Sequence, residues 1–120
     1  MPVRAIRGAI QLDSDERSHL LQSTAELVTK VLHANNLSPA NLISIWFTAT
    51  PDVKSEFPAL AARELGLGDV PLMCAVEMDV KGAMPRVIRL MMHAEIEQPR
   101  SEIQHVYLRG AQNLRTDLAQ

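Results

Sequence analysis

The stretch CAVEMDVKGAMPRVIRLMMH (residues 74–93) is apolar on both sides of a short polar segment. Its aliphatic residues and methionines, with their flanks, predict strands over residues 70–78 and 86–95, joined by a turn or short irregular link. Glu77, Arg86 and Arg89 lie inside or beside these strands. A buried charge is costly unless it is paired or meets a charged ligand. These three residues therefore raise the question of function.

Three further strands are predicted around this stretch. Residues 3–10 alternate well enough for a strand that places Arg7 on one face with Val3 and Ala5. Residues 42–49 (LISIWFTA) are apolar and β-branched, which is typical of a buried strand. Residues 105–109 predict a short fifth strand. In the strand after the turn, Arg89 shares a face with Met91 and His93.

One long helix and one short helix are predicted between the strands. Apolar residues recur at helical spacing from residue 20 to residue 32. Asp13 followed by Glu16 resembles a capping box before that helix, and Asn35 begins a plausible stop. Pro58 opens a short helix, PALAAREL, which Gly66 closes.

The predicted order β-α-β-α-β-β-β indicates an α+β fold in which one sheet is backed by one main helix. One long helix can cover only one face of a five-stranded sheet, whereas several strands are apolar on both faces. The second face needs a partner, so we expect a homo-oligomer that packs through its sheets. The length of 120 residues suits a single domain over residues 1–120.

Composition narrows the class of protein. The chain is 47% hydrophobic with a net charge of -2, and it has no basic run of the kind that binds nucleic acid. No segment approaches the roughly 20 apolar residues of a membrane span, and the N-terminus lacks the long apolar run of a signal peptide. The single cysteine, Cys74, fits a reducing compartment. We therefore expect a cytoplasmic protein that uses neither membrane nor nucleic acid.

Taken singly, the candidate functional residues have ordinary explanations. An isolated arginine in a strand usually lies at an edge or reaches solvent with its charged end. A lone acidic residue is usually solvated or paired, and a lone cysteine is usually an inert buried thiol. The residues concerned are Arg7, Arg63, Cys74, Glu77, Arg89, His93, Tyr107 and Arg115.

Together, however, the motifs resemble one family. RAIRGAI, FTATPD, FPALAAREL, VPLMCAVEMDVKG, RVIRLMMH and HVYLRGAQNLRTDL resemble, in order and spacing, the monofunctional chorismate mutases of the trimeric bacterial type. The resemblance extends from about residue 3 to residue 118. It implies a five-stranded mixed sheet with one long helix, and a homotrimer with a barrel-like sheet core. It also implies active sites in the clefts between subunits.

The resemblance further implies the reaction, a Claisen rearrangement of chorismate to prephenate on the route to phenylalanine and tyrosine. This reaction needs no cofactor and no metal. By resemblance, Arg7 binds a substrate carboxylate and the Arg89 guanidinium faces the ether oxygen. Glu77 and Cys74 contact the region of the ring hydroxyl, and Tyr107 holds a carboxylate.

The remaining site residues implied by resemblance form the walls and the lid of the site. A loop and short helix supply the walls, and the chain after the last strand closes over the substrate. These residues are Phe57, Ala59, Arg63, Met73, Leu114 and Arg115. Arg86 has no role in this scheme and is interpreted as a surface residue.

Two residues depart from the family pattern, and the spacing of two others is difficult to reconcile with a shared site. Leu60 stands where the family can carry a lysine, and Met73 replaces a small polar residue. We expect both to tune affinity rather than remove activity. Cys74 and Glu77 are three residues apart, so a regular strand would point them to opposite faces.

Other functions are compatible with these patterns. One alternative is a trimeric imine deaminase-like enzyme, which would activate water and be inert to chorismate. A second is a non-catalytic trimer that binds small carboxylates, and the loss of a basic residue at Leu60 favours it. A third, a purely structural trimer, would leave Arg7, Glu77, Arg89 and Tyr107 unexplained together.

Overall fold

A computed structural model of the chain describes residues 2–114, in which five strands form one mixed sheet. The strand order is β3-β2-β4-β1-β5, with antiparallel pairing of β4 to both β1 and β2 and parallel pairing of β2 to β3 and of β1 to β5. The strands are β1 (Val3–Gln11), β2 (Leu42–Ala49), β3 (Leu72–Val76), β4 (Val87–Glu95) and β5 (Val106–Leu108). The predicted mixed sheet and the predicted order of elements are confirmed, although β3 is shorter than residues 70–78.

The long helix α1 (Arg17–Ala34) starts later than the predicted capping box. Its N-cap is Glu16, whose carboxylate accepts hydrogen bonds from the backbone N–H groups of Ser18 and His19. Asp13 does not cap the helix, and its backbone N–H donates to His19 Nε2 at 2.9 Å. The predicted stop is confirmed, since Asn35 is the C-cap.

The face of the sheet that α1 covers, here called the helix face, holds the core. The even-numbered residues of β4, and those of β1 from Ile6 onward, point to it and are buried, as the alternation along a strand requires. A Cβ atom at Gly8 would lie 3.2 Å from both Leu27 and Val31 of α1. The absence of a side chain at Gly8 therefore lets α1 approach β1 closely. The largest buried side chains of this core include Ile6, Ile10, Leu20, Leu27, Ile45, Phe47, Ile88 and Met92.

The opposite face of the sheet, here called the open face, is only partly covered within residues 2–114. The turn Arg109–Asn113 lies over one end of it, where Ala111 packs with Ala9 and Val87. Elsewhere Val3, Trp46, Met73 and Met91 are 54%, 46%, 52% and 37% exposed. An apolar surface of this kind is typical of a protein interface. The expected oligomer would bury it.

The short helix α2 (Pro58–Ala62) packs against α1 and against the sheet at β2 and β3. It continues into a π-helical turn, Arg63–Leu67. Within this segment Gly66 has a φ of 92°, a conformation that glycine adopts at little cost. The helical backbone is interrupted at Gly66 as predicted, although the α-helix itself ends earlier, at Ala62, and the π-helical segment continues to Leu67. Neither α1 nor any other helix within residues 2–114 has the length and apolarity needed to cross a bilayer.

Candidate active site

An ion pair between Arg89 and Glu77 lies at the centre of the open face. Arg89 Nε donates to Glu77 Oε2 at 3.0 Å, and the Thr48 hydroxyl donates to the same oxygen at 2.7 Å. Glu77 follows the end of β3, where its own N–H donates to the carbonyl of Ala49 at 2.9 Å. This carboxylate is therefore fixed through its backbone and through two side-chain donors.

The ion pair leaves hydrogen-bonding groups of both side chains available for other partners. Arg89 uses Nε for Glu77, and its two Nη groups make no hydrogen bond within residues 2–114. Glu77 is bonded through Oε2, and its Oε1 likewise has no partner among the described residues. The Arg89 side chain is 40% exposed, whereas that of Glu77 is 16% exposed. The site thus contains the guanidinium of Arg89, whose orientation is fixed by Glu77, and one carboxylate oxygen of Glu77 that can accept a further hydrogen bond.

Strand register brings two further predicted residues beside Arg89. Ala9 of β1 lies opposite Arg89 of β4 on one side and opposite Tyr107 of β5 on the other. Arg7 lies two residues earlier on β1 and therefore on the same face. These residues share a concave region of about 190 Å³, lined by Arg7, Gly8, Ala9, Trp46, Thr48, Arg89, Leu90, Met91 and Tyr107.

Cys74 lies on the other side of the sheet from Glu77. It is opposite Phe47 in the parallel register, and Phe47 is a core residue of the helix face. Cys74 lines a second concave region of about 390 Å³ together with Phe57 and Pro58. That region also reaches Thr48, so it extends around the ends of β2 and β3. One chain therefore does not bring Cys74 to Glu77, and a contact of Cys74 with the ring hydroxyl remains a prediction.

The other predicted wall residues are spread over the chain. Ala59 is buried in α2, whereas Arg63 and Met73 are exposed. Phe57 is 69% exposed, which is high for an aromatic side chain. None of these four lines the concave region that holds Arg89.

Leu114 is the last residue described, and it packs with Tyr107 against Ala9, Val87 and Ala111. It therefore lies on the open face, close to the strand that carries Tyr107. Arg115 lies outside the described residues, so its predicted role remains a prediction.

Sequence reasoning missed two residues of this site. Thr48 holds Glu77, yet nothing in its spacing within FTATPD marks it as functional. His105 Nδ1 accepts the backbone N–H of Arg7 at 2.9 Å. Burial, and to a lesser extent the charge of Arg7, lower the pKa of His105 below its usual value. This contact joins residues 98 positions apart in the sequence, so no local pattern could have revealed it.

Arg86, interpreted as a surface residue, is only partly exposed and is held by several hydrogen bonds. Arg86 is half-buried with a φ of 54°, and its N–H donates to the Asp52 carboxylate at 3.0 Å. Its Nε donates to the carbonyl of Leu12 at 3.0 Å. Thr50 completes the network by donating to Asp52 at 2.6 Å. Arg86 therefore links the start of β4 to the two loops that contain Leu12 and Asp52. These hydrogen bonds help to position β4, the strand that carries Arg89.

The chain resembles known proteins over nearly its whole length. Residues 3–118 match the family model described as chorismate mutase type I. The chain is 45% identical over 117 residues to the chorismate mutase AroH of Thermus thermophilus, covering 97% of this chain and 96% of that protein. It is 40% identical over 120 residues to the chorismate mutase AroH of Bacillus subtilis, covering 99% and 94%.

A solved structure agrees with these sequence matches. A chorismate mutase from Clostridium thermocellum superposes with a TM-score of 0.90 and is 38% identical to this chain. The match covers 91% of this chain and 97% of that one.

Proposed function

The chain belongs to the chorismate mutase type I family, and from that premise we propose that the Arg89–Glu77 pair is the centre of its catalytic site. The protein is a chorismate mutase, an isomerase of aromatic amino acid biosynthesis that converts chorismate to prephenate. The imine deaminase-like and non-catalytic alternatives are not favoured, because both relatives and the solved structure are chorismate mutases.

The chemistry explains why arginines dominate this site. The rearrangement is unimolecular and pericyclic, so it requires no nucleophile, proton transfer or metal. The protein must hold a flexible dianion in the compact conformation that brings the reacting carbons together, and orientation of this kind can lower a barrier by several kcal/mol. It must also stabilise the negative charge that develops on the ether oxygen as the C–O bond breaks.

Arg89 is suited to the second task. Its Nε is held by Glu77, so the guanidinium is oriented before substrate binds, while the Nη groups remain available. A preorganised donor aimed at developing charge contributes typically about 10² to 10³ in rate. The observation that carries the proposal is this held guanidinium beside Arg7 and Tyr107 in one concave region.

Arg7 and Tyr107 are suited to the first task. Both line the concave region on the side of β1, where each could hold a substrate carboxylate. A guanidinium binds a carboxylate through two parallel hydrogen bonds, which fixes its orientation as well as its position. Glu77 Oε1 could accept a hydrogen bond from the ring hydroxyl, because only Oε2 is used within the described chain. With these assignments, each of the three charged side chains of the site (Arg7, Glu77 and Arg89) has a role in binding or in catalysis.

We infer that the complete site forms between subunits of a homotrimer. The exposed apolar residues of the open face support an oligomer, and Phe57, which is 69% exposed, supports a wall offered to a neighbouring chain. Ala59, Arg63, Met73 and Cys74 are predicted to bind substrate, yet they lie outside the concave region of Arg89. A second subunit would supply the missing wall. We also propose a cytoplasmic location, which fits the single cysteine.

The experiment that tests this proposal is a chorismate turnover assay. Purified protein is mixed with chorismate, the loss of its absorbance is followed, and prephenate is identified by acid conversion to phenylpyruvate. We expect saturable turnover that Arg89→Ala abolishes. Lys30→Ala, an exposed charge removed from α1, is the control and should retain full activity. Binding of chorismate without turnover would instead support a non-catalytic carboxylate-binding trimer.

A further inference from the structure

The loop that carries Phe57 is held by the segment that precedes α1. Asp15 accepts hydrogen bonds from two successive backbone N–H groups of this loop, that of Lys54 at 2.9 Å to Oδ2 and that of Ser55 at 3.1 Å to Oδ1. Each carboxylate oxygen thus binds one donor, across 39 and 40 positions of sequence. We call residues 54–57 the Phe57 loop.

The charged form of Asp15 is the one that holds the Phe57 loop. Burial acts to raise the pKa of this carboxyl, but hydrogen bonds from Ser55 and Lys54, together with the charge of Lys54, lower the pKa below its usual value. A hydrogen bond to an ionised acceptor is stronger than one between neutral groups. Asp15 is therefore a charged acceptor at neutral pH, with both oxygens bonded to the loop.

A second contact from the same segment reaches the same loop. Arg17 Nε donates to Glu56 Oε1 at 2.8 Å, and Glu56 Oε2 accepts the N–H of Phe57 at 2.9 Å. The Arg17 side chain is 59% exposed, and exposed ion pairs contribute little to stability. The residue between them in sequence, Glu16, caps α1 itself. Asp15 is therefore the main link from this segment to the loop.

The Phe57 loop forms part of the wall of a concave region. Together with Cys74 of β3, it lines the region of about 390 Å³. Phe57 is 69% exposed, so its position depends on the backbone that carries it rather than on packing of its ring. After Phe57 the chain enters α2 at Pro58, which is buried. The backbone at Phe57 is thus fixed by α2 on one side and by Asp15 on the other.

We propose that Asp15 is a positioning residue for the chorismate site, and that it acts by fixing the loop that presents Phe57 to the substrate. This role rests on the proposed function, in which Phe57 forms a wall of the site. Asp15 itself lines neither the concave region of Arg89 nor that of Cys74. A wall binds substrate and transition state alike, so its displacement should raise KM more than it lowers kcat.

The experiment is a double-mutant cycle of Asp15→Asn and Phe57→Ala, with kcat and KM for chorismate measured for all four proteins. Asparagine keeps the size of the side chain but removes the charge and one of the two acceptor oxygens. We expect Asp15→Asn to raise KM about threefold or more while kcat stays within about twofold of wild type. In the Phe57→Ala background, Asp15→Asn should leave KM nearly unchanged, because the side chain that it positions is gone.

Two further variants and one structural measurement accompany the cycle. Asp69→Asn removes the same charge from an exposed residue that makes no hydrogen bond or ion pair within residues 2–114, and it should leave KM unchanged. Arg17→Gln should have a smaller effect than Asp15→Asn, because it removes only an exposed ion pair. Amide hydrogen exchange at Lys54 and Ser55 should be faster in Asp15→Asn, with urea unfolding as the check on global stability.

Several outcomes would overturn the proposal. One is a wild-type KM, or wild-type exchange at the Phe57 loop, in Asp15→Asn. Another is an effect of Asp15→Asn on KM that is equally large with and without Phe57, since Asp15 would then act through other residues. A loss of stability with KM unchanged would make the role of Asp15 purely structural.

Failure of the proposed function is distinguishable from failure of this role. Absence of chorismate turnover in the wild-type protein would refute the function, and the role of Asp15 with it. An unchanged KM in Phe57→Ala would remove Phe57 from the wall and refute the role while the function stands. Normal wild-type turnover with an unaffected Asp15→Asn variant would refute the role of Asp15 alone.

Discussion

Arg89 and Tyr107 lie on the two strands that flank β1, and both are opposite the same residue, Ala9. β4 runs antiparallel to β1 whereas β5 runs parallel to it, yet the two side chains reach one face. The small side chain of Ala9 separates them. A cation and a phenol are thereby presented side by side at the centre of the sheet, in a region that also contains Arg7.

The planar guanidinium group of Arg89 should be essential for the chemical step. We predict that Arg89→Lys loses most of kcat, because a lysine cannot donate to Glu77 through Nε while also directing two planar donors at the substrate. Steady-state measurement of kcat and KM with chorismate tests this. A variant whose kcat stays within about threefold of wild type would remove Arg89 from the centre of the mechanism.

Thr48 should act as a positioning residue through Glu77. Thr48→Val keeps the shape of the side chain but removes the donor that lies 2.7 Å from Glu77 Oε2. We predict a fall in kcat of up to about tenfold with a smaller change in KM, because the carboxylate that holds Arg89 becomes less fixed. Thr48→Ser should restore most of the rate. Equal activity of the valine and serine variants would contradict this role.

Gly8 should be required for close packing of α1 on β1. In Gly8→Ala the new methyl group would meet Leu27 and Val31 at 3.2 Å, so the helix or its side chains must shift. We predict a loss of stability of about 1–3 kcal/mol. Urea unfolding at fixed protein concentration measures it.

Gly68→Ala is the matched control for Gly8→Ala. Gly68 has a φ of -64°, and a Cβ atom there would meet nothing within 4 Å. Its substitution should therefore leave stability unchanged or raise it slightly. Equal losses at the two positions would show that the packing explanation is wrong.

His105 should make stability depend on pH on the acid side of neutrality. Its pKa is lowered in the folded state by burial and by Arg7, so the unfolded chain binds the proton more readily. The contribution of this histidine is therefore full above the unfolded value of about 6.5 and is lost as the pH falls below it. Protonation of Nδ1 would also break the hydrogen bond from the Arg7 N–H.

The measurement is urea unfolding of wild type and His105→Gln across the range from neutral to mildly acidic pH. We expect wild type to lose stability more steeply than the variant as the pH falls through about 6.5. His33→Gln removes an exposed imidazole from α1 and serves as the control. A slope unchanged by His105→Gln would contradict the assignment.

Local sequence patterns by themselves determine which way many side chains of this protein point. Alternation along a strand depends only on neighbouring residues, so it correctly placed Arg7 on one face with Val3 and Ala5, and Arg89 on one face with Met91 and His93. Which of the two faces α1 covers was not predicted. The same alternation correctly indicated that Cys74 and Glu77 point to opposite faces. The helix and its stop at Asn35 followed from helical periodicity and from turn-forming residues.

Only the tertiary structure decided what depends on contacts between distant residues. The order β3-β2-β4-β1-β5 places Arg89 between Thr48 and Ala9, and no local pattern specifies which strands are neighbours. The helix cap is Glu16 rather than Asp13, because the helix begins at Arg17 and the Glu16 carboxylate is the one that reaches the N–H groups of its first turn. Arg86 resembled a surface residue because its partners, Asp52 and Leu12, are 34 and 74 positions away. The sequence thus specified the faces of its elements, whereas long-range register and hydrogen bonds assembled the site.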